Sequence, residues 1–336
     1  MTAVSGDGNC SHNHTGWNSK MEQLYTWFYL MIFIPGLLGN SLALWVLFRF
    51  ISKKTKAVIF MMNLAMADLL HVLSLPLRIY YYFTHTWPFG HGVCLLCFYL
   101  KYLNMYAGIA FLVCISIQRC AFLRHPFCAK AWKRRYDVRI SAAAWLTVGL
   151  CCSPFILMRN SRGSSAADNS TITAAIYTNS SCFKDLPMRE VNMALAVTMM
   201  TFAELLGFIG PLIVILLCSY VIWRSLLHPV HKSSDCRKAL RMVLVCTGVF
   251  LFCFAPYHLN FLLFLMVSQK IITHCGVVLA VTQFHPVSLC IASLNCCLNP
   301  LIYYFLTTEF RQITRQGSSI LRSRLMSMES TSSFRE

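Results

Sequence analysis

The chain has 336 residues, of which 57% are hydrophobic and only 12% charged, and its mean hydropathy is +0.57. Soluble domains are about a quarter charged, so this composition excludes one, and several apolar runs of about 20 residues or more indicate an integral membrane protein. The net charge of +17 is of a size that attracts nucleic acid, but the basic residues lie between apolar spans, so no nucleic-acid partner is expected. The length allows a bundle with short tails and no separate soluble domain. Most of the 17 cysteines fall inside the spans, where cysteine is usually a small apolar filler. The first 20 residues are polar and show no cleavable signal peptide, so the first span is expected to act as the insertion signal.

Residues 1–24 read as a polar tail with N-glycosylation acceptors at Asn9 and Asn13, which function only on a lumenal segment. The first span, 25–49, contains Gly39-Asn40, an amide that needs a partner within the bilayer. Arg49, Lys53, Lys54 and Lys56 follow and mark a cytoplasmic loop. The second span, 57–83, contains Asp68 at mid-membrane depth. An acid there must be paired or hydrated; it is either a hydrogen-bonded hub with Asn40, Asn295 and Asn299 or an ion or proton site. Pro76 kinks this helix, and Arg78 and Tyr80 follow in its outer half. Thr86-Trp87-Pro88-Phe89-Gly90 is a turn with aromatic anchors.

The third span, Cys94 to Arg119, organises the rest. It lacks proline, and as a helix its length is about 37 Å, roughly a membrane with headgroups. A cysteine stands at its outer end and an arginine at its inner end. A second basic loop then carries Arg124, Lys130, Lys133, Arg134, Arg135 and Arg139. The fourth span, 137–158, holds Trp145 and Pro154. Residues 159–190 form the longest loop, with glycosylation acceptors at Asn169 and Asn179 and a single cysteine, Cys182. In an oxidising compartment Cys182 is the natural partner of Cys94, the plainer alternative being a free thiol.

The fifth span, 191–224, contains Glu204 and Pro211, and a short inner loop with His228, His231 and Lys232 leads to the sixth, 238–267, with Phe250, Cys253, Phe254, Pro256 and His258. Cys275 follows in an outer loop; because Cys10 is also outside, a Cys10–Cys275 bridge is a candidate. The seventh span, 277–305, ends with Asn299-Pro300-Leu301-Ile302-Tyr303. Residues 307–316 suit a short amphipathic helix on the membrane surface, with Phe310 inward and Arg311 and Arg315 outward. The Ser/Thr cluster 327–333 reads as a disordered tail, solvated or phosphorylated. Three regions result: an extracellular tail 1–24, a seven-helix domain 25–306 and a cytoplasmic segment 307–336. The fold class is an all-α seven-transmembrane bundle with a short eighth helix, in the plasma membrane with its N-terminus outside.

Charges in the outer half limit the ligand. Arg78, Lys101, Arg159 and Arg189 lie at or near that level, and a buried cation there needs an anion. For Arg159 and Arg189 snorkelling to headgroups competes with ligand contact; for Arg78, just after a proline kink, ligand contact is favoured. Arginine suits a phosphate because its fork donates two parallel hydrogen bonds. Tyr99, Tyr102 and Tyr106 fall on one helix face, a stripe that either packs or supplies hydroxyl donors. Glu204 would take an ammonium or another polar head, or close a helix–helix hydrogen bond. Phe202 and Phe208 could line an acyl chain.

Taken in order, Gly39-Asn40, Leu64-Ala65-Met66-Ala67-Asp68, Trp87-Pro88-Phe89, Cys94 with Cys182, Arg119, Trp145, Pro211, Phe250 to Pro256 and Asn299 to Tyr303 resemble a rhodopsin-like (class A) G-protein-coupled receptor over residues 25–316. The sixth-span pattern through His258 is similar to the δ group of purinergic and lysophospholipid receptors. Leu73 to Tyr81, Phe98 to Tyr106 and Trp132 to Asp137 resemble its lysophosphatidylserine-receptor branch. The resemblance implies a lysophospholipid ligand, most simply lysophosphatidylserine, bound by Arg78, Tyr80, Lys101, Tyr102, Tyr106, Arg159, Glu204 and His258. A nucleotide, also a polyanion, and a basally active receptor are the alternatives. It further implies a heterotrimeric G protein of the twelve/thirteen class, with arrestin and receptor kinases as further partners. Gln118, Arg119, Phe254, Pro256, Asn299, Pro300 and Tyr303 would form the activation switch.

Three positions depart from the family. Gln118 stands where an acid usually precedes the inner arginine, which predicts a weaker resting restraint and some basal activity. Gly108 stands where many relatives have a serine facing a sodium site. Ser219 stands where a fifth-helix tyrosine is usual, with Tyr220 beside it. No internal repeat suggests a transporter. No His-Glu-x-x-His or Gly-x-Ser-x-Gly set suggests an enzyme, and the lone Cys94-Leu95-Leu96-Cys97 pair does not make a metal site. Neither enzyme activity nor a cofactor is expected.

Overall fold

The computed structural model describes residues 14–48, 58–125, 127, 131–157, 182–183, 193–227, 234–268 and 271–306. Among these the chain forms seven helical rods and no strand. The first four are α1 (His14–Val46), α2 (Val58–Thr84), α3 (Gly90–Arg124) and α4 (Arg134–Leu157). The fifth is α5 (Met193–Glu204), a π-helical stretch (Leu205–Ile209) and α6 (Gly210–Leu227). The sixth is α7 (Ser234–Ser268). The seventh is α8 (Cys275–Ser293) and α9 (Asn295–Leu306), joined at Leu294.

These rods follow the expected spans, with differences at the ends. α1 starts at His14 rather than near residue 25, and its 33 residues rise about 50 Å, well beyond the hydrocarbon thickness. Its polar opening turns therefore project past the membrane core. Six rods are long and apolar enough to cross a membrane. The fourth is less apolar because its first turns carry Arg134, Arg135, Asp137 and Arg139.

The burial pattern is that of a bundle in lipid. On α2 the large exposed side chains are Met66, Leu70, Leu73, Tyr80 and Phe83, at three- and four-residue steps and their multiples, so one apolar stripe faces outward. The opposite face carries Leu64, Asp68, His71, Leu75 and Arg78, all buried. α3 packs against α2, α4, α6 and α7 and buries side chains around most of its girth. Close approach of the first and seventh rods depends on Gly39, where a Cβ would stand 3.0 Å from the Pro300 ring.

Amides hold the bundle at mid-depth. Asn104 on α3 and Asn299 on α9 each donate to Asp68 at 2.8 Å, one to each carboxylate oxygen. Asn40 does not join them: it donates to the carbonyls of Gly36 and Cys296, at 2.9 and 2.7 Å. Asn295 is fully buried and has no hydrogen-bond partner among the described residues. Its amide fills the space left by Gly108, 3.1 Å from where a Cβ would be. The expected hub thus forms around Asp68 and Asn299, with Asn104 in the place assigned to Asn40 and Asn295. Trp145 donates to Asn63 at 2.8 Å and ties the fourth rod to the second.

Candidate functional site

The outer site is built on α2, α3 and the Cys94–Cys182 disulfide, which joins residues 88 positions apart. The bond anchors Phe183 over the bundle mouth. Phe183 has a φ of 54°, unusual for a bulky residue. Its ring is fixed against Tyr81, Trp87 and Phe98, with centroids 5.1–5.4 Å apart. The Arg78 guanidinium lies 4.6 Å from the Phe183 ring centroid, a cation–π contact that strengthens when water is excluded. Arg78 is only 2% exposed. It donates to the Cys97 carbonyl and lies close to Tyr29. Its Nε has no partner, and no carboxylate is bonded to it among the described residues.

Two further basic groups lie near Arg78. His71, two turns earlier on the same face of α2, is 1% exposed, and neither ring nitrogen has a partner among the described residues. It is close enough to both Arg78 and Lys101 to feel their charges. Lys101 borders a cleft with Tyr102, Met105, Leu289 and Ser293. His71 is absent from the sequence-derived set, although its seven-residue spacing from Arg78 places both on one helix face.

A second polar group lies between α3, the fifth rod and α7. Glu204 and His258 meet at 3.1 Å. Tyr106 contacts the His258 ring edge-on, with centroids 5.9 Å apart, and Phe208 stacks on it at 4.8 Å. The π-helical stretch begins just after Glu204, with the Gly210 N–H bonded to the Leu205 carbonyl. Pro211 has no N–H for the next regular bond, and Gly207 leaves room for Tyr106, whose ring would lie 2.6 Å from a Cβ there.

The structure therefore brings together Arg78 with Lys101, and Tyr102 and Tyr106 with Glu204 and His258. Tyr80 is not among them. It is 39% exposed on the outward stripe of α2 and packs edge-on against Phe89. Tyr99 donates to the Gly149 carbonyl at 3.1 Å. Phe202 is 59% exposed, whereas Phe208 is buried. Cys275 is disulfide-bonded. Cys10, Asn9, Asn13, Arg159, Asn169, Asn179, Arg189, the 307–316 helix and the 327–333 cluster lie outside the described residues.

At the inner end, Gln118 is buried and donates to Asp137 at 2.8 Å, and Trp132 donates to the same oxygen at 2.8 Å. An acid thus stands beside the Gln118-Arg119 step, but on α4 instead of α3. Phe254 is buried and packs edge-on against Phe250, with Pro256 half a turn further along α7. Tyr303 donates to the Met61 carbonyl at 3.1 Å. Ser219, in the place of the usual tyrosine, lies 3.2 Å from Thr247 and links the fifth rod to the sixth.

Residues 39–303 match the family model described as 7 transmembrane receptor (rhodopsin family). The chain is 55% identical to the putative purinoceptor 10 of Homo sapiens over 322 residues, 94% of this chain and 91% of that protein. It is 49% identical to the "Probable G-protein coupled receptor 174" of Homo sapiens over 297 residues, covering 87% and 86%. It is 33% identical to the "Lysophosphatidic acid receptor 6" of Homo sapiens over 319 residues, covering 93% and 89%. Proteins of this kind are multi-pass plasma-membrane receptors that signal through heterotrimeric G proteins and are not enzymes. With seven rods, the Cys94–Cys182 bridge and this match in hand, the chain belongs to the rhodopsin family of seven-transmembrane receptors.

Proposed function

We propose that this receptor responds to an anionic lysophospholipid, lysophosphatidylserine, and activates G proteins of the twelve/thirteen class. Arg78 carries the reading. A guanidinium 2% exposed, with an unpartnered Nε and no bonded carboxylate among the described residues, calls for an anion. Lys101 adds a second cation, and Tyr102 and Tyr106 supply hydroxyls along the same helix face. One relative is, by its name, a receptor for lysophosphatidic acid, an anionic lysophospholipid.

Ligand binding would act by favouring one of two bundle arrangements through contacts that differ between them. Phe254 and Pro256 are the pivot, because a proline leaves a backbone carbonyl without its helical donor and allows bending. Asn299, Pro300 and Tyr303 would follow on the seventh rod. Gln118, Arg119 and the basic second loop would meet the G protein. The N-terminus is then extracellular, with glycans at Asn9, Asn13, Asn169 and Asn179, Arg159 at the mouth of the site and a second bridge between Cys10 and Cys275. Arrestin and receptor kinases would act on the cytoplasmic tail.

The test compares signalling in cells expressing wild type or Arg78→Ala at matched surface levels. Lysophosphatidylserine is expected to activate wild type, with the mutant response weakened at least about tenfold, the loss of one charged hydrogen bond. Nucleotides active in place of the lipid would overturn this reading, as would equally high ligand-free signal in both proteins with no response to the lipid.

A further inference from the structure

The Glu204–His258 group has the wrong chemistry for the anion that Arg78 calls for. Glu204 is 4% exposed, and its oxygen pairs with His258 Nδ1 at 3.1 Å. A carboxylate has about four acceptor positions, so this bond leaves much of its capacity unused. Three buried polar atoms near it also lack partners among the described residues: His258 Nε2, the Tyr106 hydroxyl and the Tyr257 hydroxyl. His258 and Tyr257 are themselves 1% and 0% exposed. Tyr106 and Tyr257 are both close enough to Glu204 to feel its charge, and Tyr257 also feels Tyr102. The walls are aromatic: Tyr257 meets the His258 ring edge-on, with centroids 5.2 Å apart, and Phe208 stacks on its face.

We propose that Glu204, Tyr106 and Tyr257 form an ammonium-binding subsite. The receptor would then select anionic lysophospholipids whose head also carries a primary amine. An ammonium has three N–H donors and no acceptor; a carboxylate and two phenol oxygens supply three acceptors, and ring faces attract a cation. Tyr102 and Tyr106, one turn apart on α3, connect this negative pole to Lys101 and Arg78. A head with a phosphate at one end and an amine at the other spans both poles, whereas lysophosphatidic acid and nucleotide phosphates satisfy only the basic one. The two poles thus give selectivity through a polar group left unsatisfied by the wrong ligand. Gly207 and the π-helical stretch fit this role, since π-bulges often occur at functional sites and this one lets Tyr106 lie against the fifth rod beside Glu204.

This inference rests on the lysophospholipid reading, and its test separates the two. Signalling is measured with lysophosphatidylserine, with its analogue in which hydrogen replaces the serine amine, and with lysophosphatidic acid. The receptors are wild type, Glu204→Gln and Tyr257→Phe at matched surface expression. Wild type is expected to require at least about tenfold more of either amine-free lipid, as for one hydrogen bond to a charged group. Glu204→Gln is expected to weaken the response to lysophosphatidylserine alone and bring the three lipids within about threefold of one another. Tyr257→Phe, which removes only a hydroxyl, should shift in the same direction and carries the test if Glu204→Gln fails to reach the surface. Equal wild-type potency with and without the amine would overturn the ammonium subsite and leave the lysophospholipid reading standing. An equal loss for all three lipids in Glu204→Gln would make the pair structural and overturn the proposal. No wild-type response to any of them would remove the lysophospholipid reading and the subsite with it.

Discussion

Arg78 and Tyr80 differ by two positions, which on a helix turns one away from the other. Arg78 is buried toward the bundle and Tyr80 faces outward. That opposition is already present in the sequence, since the two-residue spacing keeps Arg78 and Tyr80 from facing one ligand together. The same rule would have found His71, one heptad before Arg78. Arginine at 78 also predicts a graded result. Arg78→Lys keeps the charge but loses the planar fork, so lysophosphatidylserine potency should fall about tenfold in a concentration–response assay while the maximal response is kept; unchanged potency would show that only the charge matters. Gln118 makes a second residue-scale prediction. Glutamate there would place a second carboxylate at the 2.8 Å contact with Asp137, and like charges at that distance repel. Gln118→Glu is therefore expected to lower surface expression and thermal stability, although it resembles the family pattern. A mutant as stable as wild type would show that Asp137 can turn away.

At the scale of elements, the clearest departure from a regular helix is in the fifth rod. Apolar length predicted a single span there, and hydropathy cannot distinguish a regular turn from a π-helical one. The local signals were Gly207 and Pro211, and their effect depends on Tyr106, about a hundred residues earlier in the chain. Gly207→Ala would bring a methyl within 2.6 Å of that ring. The expected cost is about 1–3 kcal/mol, as for other overpacked sites, read as a lower melting temperature of the purified receptor; an unchanged melting temperature would mean that Tyr106 moves aside freely. The bridge between Cys94 and Cys182 is legible because Cys94 stands at the outer end of its span and Cys182 is the single cysteine of the long loop 159–190. What it holds is not: only the fold shows Phe183 seated on Arg78. Cys182→Ser is expected to cost about 2–5 kcal/mol, seen as reduced surface expression. Any receptor that does reach the surface should respond weakly, because the aromatic cover over Arg78 is no longer anchored. Full response from such a receptor would show that Phe183 is held by its ring contacts alone.

For the whole molecule, the apolar runs are enough to count the spans, because a membrane requires every backbone polar group to be satisfied within a helix. Which buried amides would meet was less legible. Asp68 and Asn299 lie more than two hundred positions apart and met as expected. Asn104 looked like any other amide in an apolar run, yet it is the second donor to Asp68. Likewise, nothing local pairs Glu204 with His258, 54 positions later. The fold thus separates the buried guanidinium of Arg78 from the Glu204–His258 pair, with Tyr102 and Tyr106 of α3 on the wall that links them.

Thermal unfolding of the purified receptor in lipid nanodiscs, with and without lysophosphatidylserine, probes the role of Arg78 in binding without relying on signalling. A ligand that binds only the folded state adds about 2.7 kcal/mol at a hundred times its Kd. Wild type is expected to melt several degrees higher with the lipid, and Arg78→Ala, binding at least about tenfold more weakly, is expected to keep at most about half of that shift at the same concentration. Equal shifts in the two proteins, or a wild-type shift with ATP and none with the lipid, would contradict the assignment of Arg78 to an anionic lysophospholipid head.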